Sequence, residues 1–269
     1  MLTLPIYQVD AFAERPFCGN PAAVCPLPEW LDDATLQAIA AENNLSETAF
    51  YVREGAHHRL RWFTPTLEVD LCGHATLAAA SVLLESDGEA VFETRSGRLT
   101  ATRRGPLLTM DFPVIPFFTT PPPAEMLTCL GSPVEAFFGI TSIHGAKYYM
   151  AVFSSADQVA TLQPDTAQMG RELNANVIAT APGVDGADFV SRFFGPASGV
   201  PEDPVTGSAH CTLAPYWAQR LRKTRLLGRQ ISRRGGEVGC EVVGDRVRLT
   251  GQCVRYLEGT IRVPAVDGR

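Results

Sequence analysis

The sequence predicts an α+β chain of two pseudo-symmetric domains, each a mixed or antiparallel β-sheet barrel wrapped around a central helix. Three observations carry that prediction. The stretch Asp203-Pro204-Val205-Thr206-Gly207-Ser208-Ala209-His210 has a paler copy upstream, Asp70-Leu71-Cys72-Gly73-His74-Ala75-Thr76. Each copy follows an aromatic-X-Pro triplet, and Phe63 to Phe194 is an offset of 131 (194 − 63) in a chain of 269 residues. A self-similar offset of about half the chain points to duplication. Finally, Ala75-Thr76-Leu77-Ala78-Ala79-Ala80-Ser81-Val82-Leu83-Leu84 has almost no polar face, so it must be buried on every side. Its neighbours read as strands, and sheet wrapped around the helix buries it most simply.

Taken in order, Leu4 to Phe12 reads as an opening strand and Ala22 to Cys25 as a second, short one. Asp32 is a candidate N-cap for a helix through about Glu42, with Leu36, Ile39 and Ala40 at helical spacing. Glu47 to Val52 and Leu60 to Phe63 have the aromatic and β-branched content of strands. His57-His58 falls in a Gly- and Arg-rich turn, where it would be solvated. Strands follow at Ala90 to Thr94, Leu99 to Thr102 and Leu107 to Phe112, and the prolines from Pro113 to Pro123 mark a linker. The second half repeats the plan. Strands fall near Tyr148 to Phe153, Val177 to Thr180 and Phe189 to Phe194, with a helix near Asp165 to Leu173 and a second central helix from Ser208 to about Leu221. Pro215 lies inside that helix, so a kink or break is expected there. Strands from Arg229 to Val263 complete the chain. The domains are expected at 1–115 and 125–258, with 259–269 packing back onto the first.

Composition excludes several function classes. The chain is 45% hydrophobic and 19% charged, ordinary for a globular protein. A net charge of −6 offers no basic surface, so neither nucleic acid nor an anionic membrane is an expected partner. No apolar run approaches the roughly 20 residues of a membrane span. The first residues, Met1-Leu2-Thr3-Leu4-Pro5, lack the features of a signal peptide, and seven cysteines without such a signal point to reduced thiols in the cytoplasm.

Gly73-His74 and Gly207-Ser208 each open a helix after a turn, where free N–H groups and the helix dipole favour anions. Gly and Ser are also ordinary helix-start residues, so simple capping is the competing reading. In a duplicated chain the two starts would converge on an inter-domain cleft suited to a small carboxylate. Asp203 could be a turn acid and His74 a satisfied helix-start residue. Cys72 and His74 with His210 and Cys211 invite zinc, but Cys-X-His and an adjacent His-Cys pair match no established zinc spacing, so no metal is expected. Cys72 has no dedicated base beside it in sequence. Glu47 opens a strand, usually a surface position. Its apolar neighbours and the small Ser46 and Thr48 would partly bury the carboxyl, raise its pKa and suit it to proton transfer.

Asn44-Leu45-Ser46-Glu47-Thr48-Ala49-Phe50, Leu71-Cys72-Gly73-His74-Ala75-Thr76-Leu77-Ala78 and Glu202-Asp203-Pro204-Val205-Thr206-Gly207-Ser208-Ala209-His210 together resemble the PhzF phenazine-biosynthesis family. Phe17-Cys18-Gly19-Asn20-Pro21-Ala22-Ala23-Val24 is similar to its N-terminal signature. The blocks span nearly the whole chain. The resemblance implies the diaminopimelate epimerase-like fold and acid/base isomerisation without cofactor or metal. It implies Glu47, His74, Asp203 and Ser208 as catalytic residues. Glu47 would carry the proton, while His74 and Asp203 handle protons and amine or hydroxyl contacts. Ser208, with the Gly73 and Gly207 backbone, would hold a substrate carboxylate, and Asn20 and Ser46 would also bind substrate. Related epimerases use one cysteine from each domain; here Cys72 stands near one position but Thr206 near the other, which disfavours a two-thiol racemase. The reading is a homodimeric isomerase of a small amino- or hydroxy-carboxylic acid. Its rivals are an epimerase using Cys72 and a non-catalytic binding relative on the same scaffold.

Overall fold

The computed structural model describes residues 1–141 and 146–264; the tail 265–269, part of the expected last strand, lies outside the described residues. The chain forms two compact units. One is Met1–Asp111 together with the chain from Thr250, and the other is Phe112–Leu249.

The first unit contains β1 (Leu2–Ala11), β2 (Asn20–Leu27), α1 (Asp33–Asn43), β3 (Glu47–Glu54), β4 (His57–Phe63), β5 (Glu68–Val69), α2 (Gly73–Leu83), β6 (Gly88–Thr94), β7 (Gly97–Arg104) and β8 (Leu107–Pro113). The second contains β9 (Phe117–Thr119), α3 (Ala124–Leu130), β10 (Ala136–Ile140), β11 (Lys147–Val152), α4 (Ala156–Thr161), α5 (Thr166–Gln168), β12 (Ala175–Pro182), β13 (Phe189–Gly195), β14 (Val200–Asp203), α6 (Gly207–Leu221), β15 (Arg225–Gln230) and β16 (Gly236–Val243). The last strand, β17 (Arg246–Val263), runs antiparallel to β1 from Cys253 to Val263.

In the first unit the pairing runs β1–β2–β3–β4–β6–β7–β8 and returns through β17 to β1, a closed ring. Closure removes the unpaired edges that an open sheet would expose. The β2–β3 and β4–β6 pairs are parallel. In the second unit β10–β11–β12–β13–β15–β16 repeats that order, with β11–β12 and β13–β15 parallel. The short β5 on β4 has its counterpart in β14 on β13. The duplication legible in the sequence is therefore repeated strand by strand.

Helix α2 is the core of its unit: His74 through Ala80 are all buried, against β1, β2, β3 and β7. Helix α1 covers another face of the sheet, where Leu36, Ile39 and Ala40 meet Phe50 and Phe63. Its start follows the expected cap: Asp32 accepts from Thr35 N at 2.9 Å. In α6, Trp217 stacks on Phe189 at 6.0 Å and donates from Nε1 to Thr180 Oγ1 at 3.0 Å.

One local expectation fails, and of the kink or break expected at Pro215 the break is absent. His57 and His58 begin β4 rather than a turn; both are half-buried, and the His58 ring meets Tyr51 edge-on at 5.5 Å. Helix α6 runs through Pro215 without a break. Proline leaves the Cys211 carbonyl without its i+4 donor, and Ile115 N supplies the replacement at 3.1 Å. The linker prolines likewise enclose a strand, β9, which pairs with β10.

Candidate active site

The first unit brings Glu47, Cys72, His74, Asn20 and Ser46 together. Glu47 opens β3, Cys72 is the N-cap of α2, and His74 is its second residue. His74 Nε2 lies 3.1 Å from Glu47 Oε2, with side-chain exposures of 8% and 18%. The contact is an ion pair off the N–H direction, because neither atom has an aligned hydrogen-bond partner. On the other side of the ring, Cys72 Sγ is 3.5 Å and Asn20 Nδ2 3.3 Å from Nδ1.

Asn20 is fully buried and begins β2. The turn before it requires Gly19, whose φ is +68° and where a Cβ would come within 2.2 Å of Ala11 O. Ser46 Oγ reaches Asn20 Oδ1 at 3.5 Å, the long limit of a hydrogen bond. The geometry makes Asn20 a support for His74.

The electrostatics reverse one expectation. Burial alone would raise the Glu47 carboxyl, as its apolar neighbours imply. The charge of His74, with contacts from His74 and Cys72, outweighs burial and holds the group below the usual carboxylate range. Burial alone would depress His74, but its contact with Cys72 and the charge and contact of Glu47 lift it above an ordinary histidine. Burial, reinforced by Glu47, pushes the Cys72 thiol up to about 11. At neutral pH the thiol keeps its proton, so Glu47 is the anion that matters to His74. The resting site sets a carboxylate and a neutral thiol against a histidine whose protonated form the carboxylate favours.

Among the described residues, the Glu47, Cys72 and His74 ligand atoms lie within 4.8 Å of one another, so these three could chelate a cation. Such an ion would have to displace the protons on His74 and Cys72. The set differs from the Cys72, His74, His210 and Cys211 group that the sequence suggests, because His210 is engaged elsewhere. Its Nδ1 donates to Thr206 O at 2.8 Å, and burial pushes its pKa down to about 4.

The second unit holds Asp203, Gly207 and Ser208. Asp203 ends β14, Gly207 opens α6, and Ser208 is exposed. Arg192 on β13 holds β14 by a two-pronged contact to Glu202 at 2.7 and 2.9 Å, and its Nη1 donates to Leu162 O at 2.8 Å. Thr206 Oγ1 donates to Asp203 Oδ2 at 2.5 Å. Gln230 Oε1 accepts from Thr206 N at 2.9 Å, and its Nε2 donates to Asp203 O at 2.7 Å. Neither Cys72 nor Thr206 caps its helix with its side chain, so Gly73, Gly207 and Ser208 are first-turn residues rather than caps.

The sequence does not single out Thr206 or Gln230 as supports of Asp203. A signal for the second exists: Leu226, Gly228 and Gln230 alternate onto the buried face of β15, and a polar residue in that series must find partners inside.

Residues 9–259 match the family model for phenazine biosynthesis-like proteins, PhzC-PhzF. The chain belongs to that family. An uncharacterized isomerase of Pseudomonas aeruginosa is 50% identical over 266 residues, covering 97% of this chain and 100% of the relative. The human phenazine biosynthesis-like domain-containing protein is 37% identical over 291 residues, with 97% and 99% covered. The crystal structure of a PhzF-family protein from Enterococcus faecalis superposes with a TM-score of 0.90 at 42% identity, covering 97% of this chain and all of that one. A hydroxyproline epimerase from Agrobacterium vitis matches with a TM-score of 0.57 at 13% identity, which extends the PhzC-PhzF fold to epimerases but carries no activity across.

Proposed function

We propose that the protein is a PhzF-type isomerase that moves a proton on a small amino- or hydroxy-carboxylic acid by acid/base chemistry, without a cofactor. The observation that carries this reading is the Glu47–His74 pair at 3.1 Å. A base must be ionised at working pH, and Glu47 is held ionised by its neighbour. Glu47 keeps 18% side-chain exposure, enough for a substrate C–H to reach it. When Glu47 takes a proton, the charge that holds the proton of His74 disappears. His74 then becomes the stronger acid, and the pair is suited to remove a proton at one atom and return one at another.

The same protonation states argue against Cys72 as base, because a thiol pushed up to about 11 carries its proton at neutral pH. In the second unit we assign Asp203 to a polar substituent of the substrate. Ser208 and the N–H groups of Gly207 and Ser208 we assign to its carboxylate, the usual preference of a helix start. Relatives bearing the name isomerase support the reaction class. No helix among the described residues is long and apolar enough to cross a membrane, compatible with the cytoplasmic homodimer we propose.

Solvent-deuterium incorporation followed by NMR tests the proposal. Wild type and Glu47→Gln would each be incubated with dihydro-hydroxyanthranilate and a panel of small amino and hydroxy acids. Label entering one compound with wild type, and absent with the variant, is the expected result. Exchange at an unchanged rate in Glu47→Gln would overturn it and redirect attention to Cys72.

A further inference from the structure

Gln230 ends β15 and is fully buried, yet it does not spend its side chain on the sheet. A carboxamide offers one carbonyl oxygen and two N–H donors. Here Oε1 accepts from Thr206 N at 2.9 Å, and Nε2 donates both to Asp203 O at 2.7 Å and to Thr206 Oγ1 at 3.2 Å. All three contacts fall on the single turn from Asp203 to Thr206. The direction of the last one has a consequence for the turn's own side chains. Because the Thr206 hydroxyl accepts from Gln230, its hydrogen is turned toward Asp203 Oδ2, which it meets at 2.5 Å. Neighbouring groups close the same turn: Ser232 Oγ donates to Pro204 O at 2.7 Å, and His210 Nδ1 donates to Thr206 O.

We infer that Gln230 is a positioning residue for Asp203, acting through the Thr206 hydroxyl, whose donor direction it sets. The inference rests on the assignment of Asp203 to the substrate site. Two cations of the second unit, Arg192 and Lys223, are spent on other acids. Arg192 binds Glu202 and the 159–162 backbone carbonyls, and Lys223 and Leu227 N engage Asp188.

The sharp variant is Gln230→Glu, which keeps the shape and an acceptor for Thr206 N but reverses the polarity facing the hydroxyl. Gln230→Met removes all three contacts at similar volume. Thr180→Val serves as control, since it deletes a buried hydroxyl bonded to Trp217 and to Val190 O in the same unit, away from the turn. The first readout is the Thr206 hydroxyl proton in 1H NMR, identified by its loss in Thr206→Val. A slowly exchanging resonance is expected in wild type and in Thr180→Val, and is expected to vanish in both Gln230 variants. The second is proton exchange, in which the Gln230 variants lose on the order of 10²-fold in kcat, as expected for misplacement by about 1 Å, while Thr180→Val does not. Persistence of the resonance in Gln230→Met, or its absence from wild type, would overturn the inference. Equal losses of kcat in Gln230→Met and Thr180→Val would do the same. If wild type exchanges no compound of the panel, the isomerase reading fails while the hydroxyl resonance still decides the role of Gln230.

Discussion

The starts of the two central helices occupy equivalent places in a duplicated scaffold, yet they are built from opposite materials. At α2 the polar residues are Glu47, His74 and Cys72, a charged pair beside a thiol, sunk among apolar residues. At α6 they include Asp203, Thr206 and Gln230, an acid in contact with a hydroxyl that an amide orients. Both sites lean on a buried carboxamide, but from different strands: Asn20 opens β2, whereas Gln230 closes β15. The support was therefore not inherited with the fold. An ion pair is sensitive to pH and to the loss of either partner, while a hydrogen-bond network is sensitive to geometry. The first start suits a proton carrier and the second a rigid contact.

The largest expected effect that tests this contrast is Glu47→Gln, which should reduce deuterium incorporation by about 10³-fold, within the range for loss of a general base. Asp203→Asn should lower the same exchange by on the order of 10²-fold. A loss in Asp203→Asn equal to that in Glu47→Gln would erase the division of labour proposed here.

Next comes the charge coupling, read by His74 Cε1–H NMR against pH. In wild type the resonance should stay that of the imidazolium well above pH 6.5. In Glu47→Gln burial is no longer opposed by the carboxylate, so the midpoint should fall markedly. The signs for stability follow. The raised His74 contributes fully below about pH 6.5 and is lost as pH rises through its folded value. The lowered Glu47 contributes above about pH 4.5 and is lost as pH falls through its folded value. Chemical denaturation should thus show wild type more stable than Glu47→Gln by on the order of 1–3 kcal/mol near neutrality, less than for a fully trapped charge because His74 can shed its proton. The gap should close toward both pH extremes, and a gap independent of pH would mean that packing, not charge, separates the two proteins.

The smallest effect belongs to the thiol. Cys72→Ser should change exchange by less than about tenfold, because a group with a pKa of about 11 is not the resting base. A loss as deep as that of Glu47→Gln would instead favour a thiol-based epimerase.

Features that depend on neighbours along the chain are legible in the sequence itself. The Asp32 cap, the buried α2 and the repeated motif before each central helix all obey local periodicity or short spacing, and all appear where expected. The blocks around Glu47, His74 and Asp203 mark the candidate residues through their resemblance to the PhzF family. The charge state of Glu47 does not follow, because its deciding neighbour arrives from 27 positions away (74 − 47). Local sequence reports the apolar surroundings and hence a raised pKa; the fold brings a cation and lowers it.

Pro215 makes the same point about the backbone. By itself it announces a kink or a break, and it is Ile115, 96 positions before Cys211 (211 − 115), that satisfies the orphaned carbonyl. What the sequence alone determined was a duplicated α+β chain with buried central helices, since pattern and composition suffice for these. Only the tertiary structure decided which polar atoms meet, and so which groups are charged and which are held. Hydrogen bonds and ion pairs act over about 3 Å, a distance that strand pairing sets between residues far apart in the chain.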